Sequence, residues 1–122
     1  NETQNAPAIN PTRLEQIREL DSAGGHQLVH KILQAFLDSA DGYIKQLEQA
    51  IMDADTDGLR RSAHTLKSSS ANIGAESLSV IFKQLEVFGQ SGEIAHAKLL
   101  QESMQQQYQQ VIIEIRKMID QS

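Results

Sequence analysis

The sequence predicts an all-α protein: an antiparallel up-and-down four-helix bundle with a short extra helix at its N-terminal end. Three observations carry this. Apolar residues recur at spacings of three and four through most of the chain. Proline is absent after Pro11, so nothing interrupts long helices. Aromatics are 4% of residues against 39% apolar overall, which favours helices packed through Leu, Ile and Ala over an aromatic β core.

Residues 1–9 are polar, carry Pro7 and show no period; they read as a linker or flexible tail, with one domain over residues 10–122. Asn10 is a suitable N-cap and Pro11 suits a first helical position. Leu14, Ile17 and Leu20 mark a short helix that "SAGG" ends. Residues 26–53 form the first long helix, with Leu28, Ile32, Phe36, Ala40, Tyr43, Leu47 and Ile51 as its stripe. Val29, Leu33, Leu37 and Ile44 widen that face, and Gly42 is a point of bending. "DADTDG" breaks the pattern, with Asp55 or Thr56 as cap.

The next helix covers residues 57–72, with Leu59, Ala63, Leu66, Ser70 and Ile73 inward and Gly74 at its end. A further helix starts near Glu76 with Leu78, Ile81, Phe82, Leu85 and Phe88 inward, and stops between Gly89 and Gly92. The last runs over residues 93–120 on Ala97, Leu100, Met104, Tyr108, Val111, Ile115 and Met118. Short connections make successive helices antiparallel. There is no internal repeat, and "QQQYQQ" reads as a solvated outer face.

Composition excludes several classes of function. A net charge of −5 without a basic run argues against nucleic acid. With no cysteine there are no disulfides and no thiolate metal sites, which fits the cytosol. No apolar run approaches the ~20 residues of a membrane span. There is no Gly-rich phosphate loop. His26 and His30 stand at a metal-ligand spacing but lack a third ligand. Glu93 and His96 make one Glu-x-x-His pair where a di-iron bundle needs two and further Glu. Both read as solvated helix positions, so no metal is expected.

"AHTLKSSSANIGA", residues 63–75, puts His64, Lys67, Ser68 and Ala71 on one helix face beside the core stripe, so His64 is at least partly exposed. With the hairpin centred at residue 75, His64 lies eleven positions before it and Glu86 eleven after; Lys67 and Lys83 are each eight away. Both helices rise about 1.5 Å per residue, so His64 is level with Glu86 and Lys67 with Lys83. Ser79, Lys83 and Glu86 form a polar stripe. If the two polar stripes share a side, His, a carboxylate and two lysines meet. A lone helix histidine is ordinarily a surface group, but this set has a chemical use. Nδ1–H donating to Glu86 leaves the Nε2 lone pair as a nucleophile. Lysine charge then suits a phosphoryl group. Small residues at Ser68 and Ala71 let a second protein approach. Arg60 and Arg61, one turn earlier, are either a solvated face or a means of steering an acidic partner.

"AHTLKSSSANIGAESL…KQLE" resembles the histidine-containing phosphotransfer (Hpt) domain of two-component phosphorelays, and the chain's length and helix order fit that family. The resemblance implies that His64 is phosphorylated by the aspartyl phosphate of a receiver domain and passes the group to another receiver. It implies Lys67 as charge partner, Glu86 as the residue contacting the imidazole, and Gly74 as the glycine closing the helix. Ser68 departs from the family's usual Gly, and Ser68, Ala71, Lys83 and Arg60 are assigned to docking and clearance. The expected partners are receiver domains of response regulators or of a hybrid kinase, with no cofactor on this domain and Mg²⁺ supplied by the partner receiver. The expected form is a cytoplasmic monomer. The chain begins at Asn1 and not Met, as a fragment of something longer would; both a free protein and the last domain of a hybrid sensor kinase are open, and the polar start favours the latter. The alternative is a non-phosphorylated helical docking module, which would be expected to have lost the His; this chain keeps both His64 and Lys67.

Overall fold

Side-chain caps open two of the helices, the first and the third. In the computed structural model, which describes residues 8–21 and 26–120, Asn10 opens α1 (Pro11–Glu19) by accepting from the Thr12 N–H at 2.9 Å. Pro11 fills a first-turn position whose N–H would have no helical partner. α2 (His26–Met52) continues through Gly42, which is exposed with nothing near it, so the helix is not broken there. Asp55 starts α3 (Thr56–Asn72) by accepting from the Gly58 N–H at 2.9 Å. α4 (Glu76–Ser91) and α5 (Ile94–Asp120) complete the set. Among the described residues all regular structure is helical, and no helix is long and apolar enough to cross a membrane.

Contacts run from α2 to α3, α3 to α4, α4 to α5 and α5 back to α2, closing a four-helix ring. The core fills that ring with Leu33, Leu47, Ile51, Leu59, Leu66, Leu78, Phe82, Leu85, Met104 and Ile115, all fully buried. A Leu→Ala change at such a site costs about 2–5 kcal/mol, so these residues hold the helix bearing His64 in place. The expected stripe on α3 is buried throughout. On α2 the seam lies nearer Val29, Leu33, Phe36, Ala40, Ile44 and Leu47, and Tyr43 is 36% exposed. Tyr43 is therefore on the margin of that face and not in its centre.

One expectation changes with packing. Ile9, assigned to the tail, is 2% exposed and belongs to the core, and Ala8 packs against it; the rest of the tail, residues 1–7, lies outside the described residues. α4 ends at Ser91 with Gly92 as its left-handed C-cap, inside the expected stop, and Gly89 lies within the helix. It is buried where α4 crosses α3 closely.

α1 lies against α2 and over the α3–α4 turn. The Asn10 N–H donates to Gly74 O at 2.7 Å, and Arg13 Nε donates to Asn72 O at 3.0 Å. Gly74 has φ +82°, a conformation that ends α3 and that L side chains rarely adopt. The Gly74 N–H donates to Ala71 O at 3.0 Å and the Ala75 N–H to Ser70 O at 2.9 Å. A Cβ on Gly74 would also meet Arg13 Cβ at 2.9 Å and Asn10 O at 3.0 Å, so this glycine both ends the helix and seats α1.

Candidate functional site

Ala63 and Leu66 are fully buried on the inner side of α3, and that fixes how the residues between and after them are presented. His64 falls on the outer side, with its side chain 58% exposed. Glu86 comes from α4 next to the core residue Leu85, and only 6% of it is exposed. His64 Nδ1 stands 2.8 Å from Glu86 Oε2, and Lys67 Nζ donates to Glu86 Oε1 at 2.7 Å. One buried carboxylate thus serves two partners, one through each oxygen.

The charges follow from this geometry. The hydrogen bond from Lys67 holds the Glu86 carboxyl below the usual glutamate range. Burial pushes the other way, and His64 adds to the lowering. An ionised carboxylate only accepts, so the facing Nδ1 carries the proton, and in the neutral ring Nε2 keeps its lone pair. That is the tautomer an attacking imidazole needs.

The remaining residues sort by position. Ser68 and Ala71 are exposed on the His64 face, so the side chains four and seven positions on from the imidazole are small. Gly74 closes α3 below them. Arg60 is paired with Asp57 Oδ1 at 2.8 Å and Arg61 with Asp57 Oδ2 at 3.0 Å, which keeps the Asp57 carboxyl below its ordinary value.

Lys83 makes no hydrogen bond or ion pair with His64, Lys67 or Glu86. It is exposed on the groove between α4 and α5, beside Val87, Phe88, His96 and Leu99. Equal height along a hairpin does not place two side chains on the same side.

His96 pairs with Glu93 at 2.9 Å and stacks on Phe88 with ring centroids 5.4 Å apart. Among the described residues no three metal-ligating side chains gather; the side chain of His26 lies outside them. Two contributors to the site's geometry escaped sequence reasoning. Ser79 Oγ donates to the Lys67 carbonyl at 3.0 Å, and Gly89 meets the α3 backbone. The only signal for them was a Ser in the polar stripe and a Gly inside an apolar period.

The described residues form a helical bundle with an outward imidazole backed by a buried carboxylate and a lysine, and the comparisons give its class. The family model described as the Hpt domain matches residues 31–122, and the chain belongs to that family. The fold is similar to the crystal structure of histidine-containing phosphotransfer protein B (HptB) from Pseudomonas aeruginosa PAO1. The TM-score is 0.86 at 26% identity, covering 96% of this chain and 98% of that one. No curated protein sequence matches the chain significantly. The chain is therefore a histidine phosphotransfer domain of a phosphorelay, and domains of this family interact with receiver domains.

Proposed function

We propose that His64 is the residue that carries the phosphoryl group. Nε2 attacks the phosphorus of a receiver's aspartyl phosphate. The N–P bond forms as the P–O bond to the aspartate breaks, and the carboxylate remains on the receiver. Transfer onward is the reverse reaction with a second receiver. The observation that carries this reading is the 2.8 Å contact between His64 Nδ1 and Glu86 Oε2. It fixes the tautomer before attack and offsets the positive charge that the ring gains as Nε2 bonds to phosphorus.

Lys67 supports the same step. Its ammonium has three donors and uses one on Glu86. The others are available to the phosphoryl oxygens, where charge matters more than covalent help. Ser68 and Ala71 give the receiver room to approach, and Arg60 contributes to the surface it meets. In this reading Lys83 is a rim residue on the α4 side. The domain has no cofactor of its own, and Mg²⁺ sits in the receiver's acidic pocket. It works as a cytoplasmic monomer or as the cytoplasmic end of a hybrid sensor kinase.

Incubation with a radiolabelled, phosphorylated receiver tests this. The chain is expected to take up an acid-labile, alkali-stable label, and His64→Gln is expected to abolish uptake with helix content unchanged. Label on the His64→Gln variant would show that another residue is the acceptor.

A further inference from the structure

Glu86 can serve both His64 and Lys67 only if α4 lies at one distance from α3 and in one register along it. Two contacts bracket Glu86 and control those two quantities. Three residues beyond it, buried Gly89 lies against the α3 backbone: a Cβ there would meet Arg60 N at 2.8 Å, Thr56 O at 2.9 Å and Arg60 Cα at 3.0 Å. Seven residues before it, and so on the same side of α4 after two turns, Ser79 Oγ donates to the Lys67 carbonyl at 3.0 Å. Lys67 is thus held from α4 twice, at its carbonyl by Ser79 and at its ammonium by Glu86.

We propose that Gly89 and Ser79 are positioning residues for phosphoryl transfer: Gly89 sets the separation of α3 and α4, Ser79 sets their register, and together they keep Glu86 on His64 and Lys67. The proposal rests on His64 as acceptor. Ordinary contact begins at 3.4 Å, so a methyl group at position 89 must separate the helices by about 0.6 Å. Carried one turn to Glu86, that movement lengthens the 2.8 Å bond to His64 to about 3.4 Å, beyond a good hydrogen bond. Ser79→Ala leaves the separation alone and frees the register.

The test combines ring-nitrogen NMR of His64 with single-turnover transfer from a phosphorylated receiver. Gly89→Ala is expected to shift the His64 ring signals toward mixed tautomers and to slow transfer about tenfold. Ser79→Ala is expected to move them the same way with about a threefold loss, and Ser79→Thr, which keeps the hydroxyl, to restore both. A purely structural role would lower the melting temperature and leave the ring signals of the folded protein where they are in the parent; that result overturns the proposal. Should Gly89→Ala not fold, the Ser79 pair decides in the same way. Label on the parent protein at a residue other than His64 would overturn the acceptor assignment and this proposal with it. Unchanged ring signals with label on His64 would overturn the positioning role alone.

Discussion

Replacing Glu86 by Ala removes the carboxylate that both His64 and Lys67 use. A hydrogen bond to a charged group contributes about 1.5–3 kcal/mol. The His64 side chain is 58% exposed, so water competes for Nδ1 and the lower end applies. The ring gains positive charge during attack, so the contact is stronger in the transition state than before it, and its loss appears in the rate. About 1.4 kcal/mol is one factor of ten, so the expected effect is a roughly tenfold slower single-turnover transfer from a phosphorylated receiver, read by rapid quench. Lys67 loses its partner too, but its side chain is 24% exposed and reaches water. Stability is expected to fall by about 1–2 kcal/mol, small against the 5–15 or so of a typical domain. Glu86→Gln should fall between parent and Ala, since a neutral amide is a weaker acceptor and offers one oxygen to two donors. A Glu86→Ala variant that transfers within about twofold of the parent would refute this reasoning and leave Glu86 as a buried counter-ion for Lys67.

Lys67→Ala should slow transfer by about ten- to a hundredfold while receiver affinity changes little; lost binding with an unchanged rate in the bound complex would make Lys67 a docking residue. Ser68→Leu should fold as well as the parent, because position 68 is exposed, yet raise the receiver Kd about tenfold or more by titration calorimetry. Equal affinity would place the docking surface elsewhere. Stability should also depend on pH through Glu86. Its folded-state value is lowered, so its contribution is complete above the ordinary glutamate range and is lost as pH falls through the lowered value. Urea midpoints from about pH 6 down to about pH 3 should therefore fall more steeply for the parent than for Glu86→Gln, and parallel curves would contradict the assignment.

The sequence by itself determined the helix order, the α3 core stripe and that His64 and Glu86 stand level. The reason is geometric: helices rise at a constant rate, so counting from a short hairpin gives the height of each side chain. Height is not direction, and the rest waited for tertiary structure. The same count that paired His64 with Glu86 also paired Lys67 with Lys83, but α4 turns Lys83 toward α5 and gives Lys67 the second oxygen of Glu86 instead. Ile9 looked like tail because one apolar residue has no period, and only the surrounding helices show that it is buried. The stop between Gly89 and Gly92 was legible and falls at Gly92, but the sequence did not separate the roles of the two glycines: in the fold the missing Cβ of Gly89 is what lets α4 approach the α3 backbone. Periodicity records how a helix meets its surroundings on average, whereas the reach of one carboxylate to two partners depends on a helix–helix separation of tenths of an ångström, which packing alone sets.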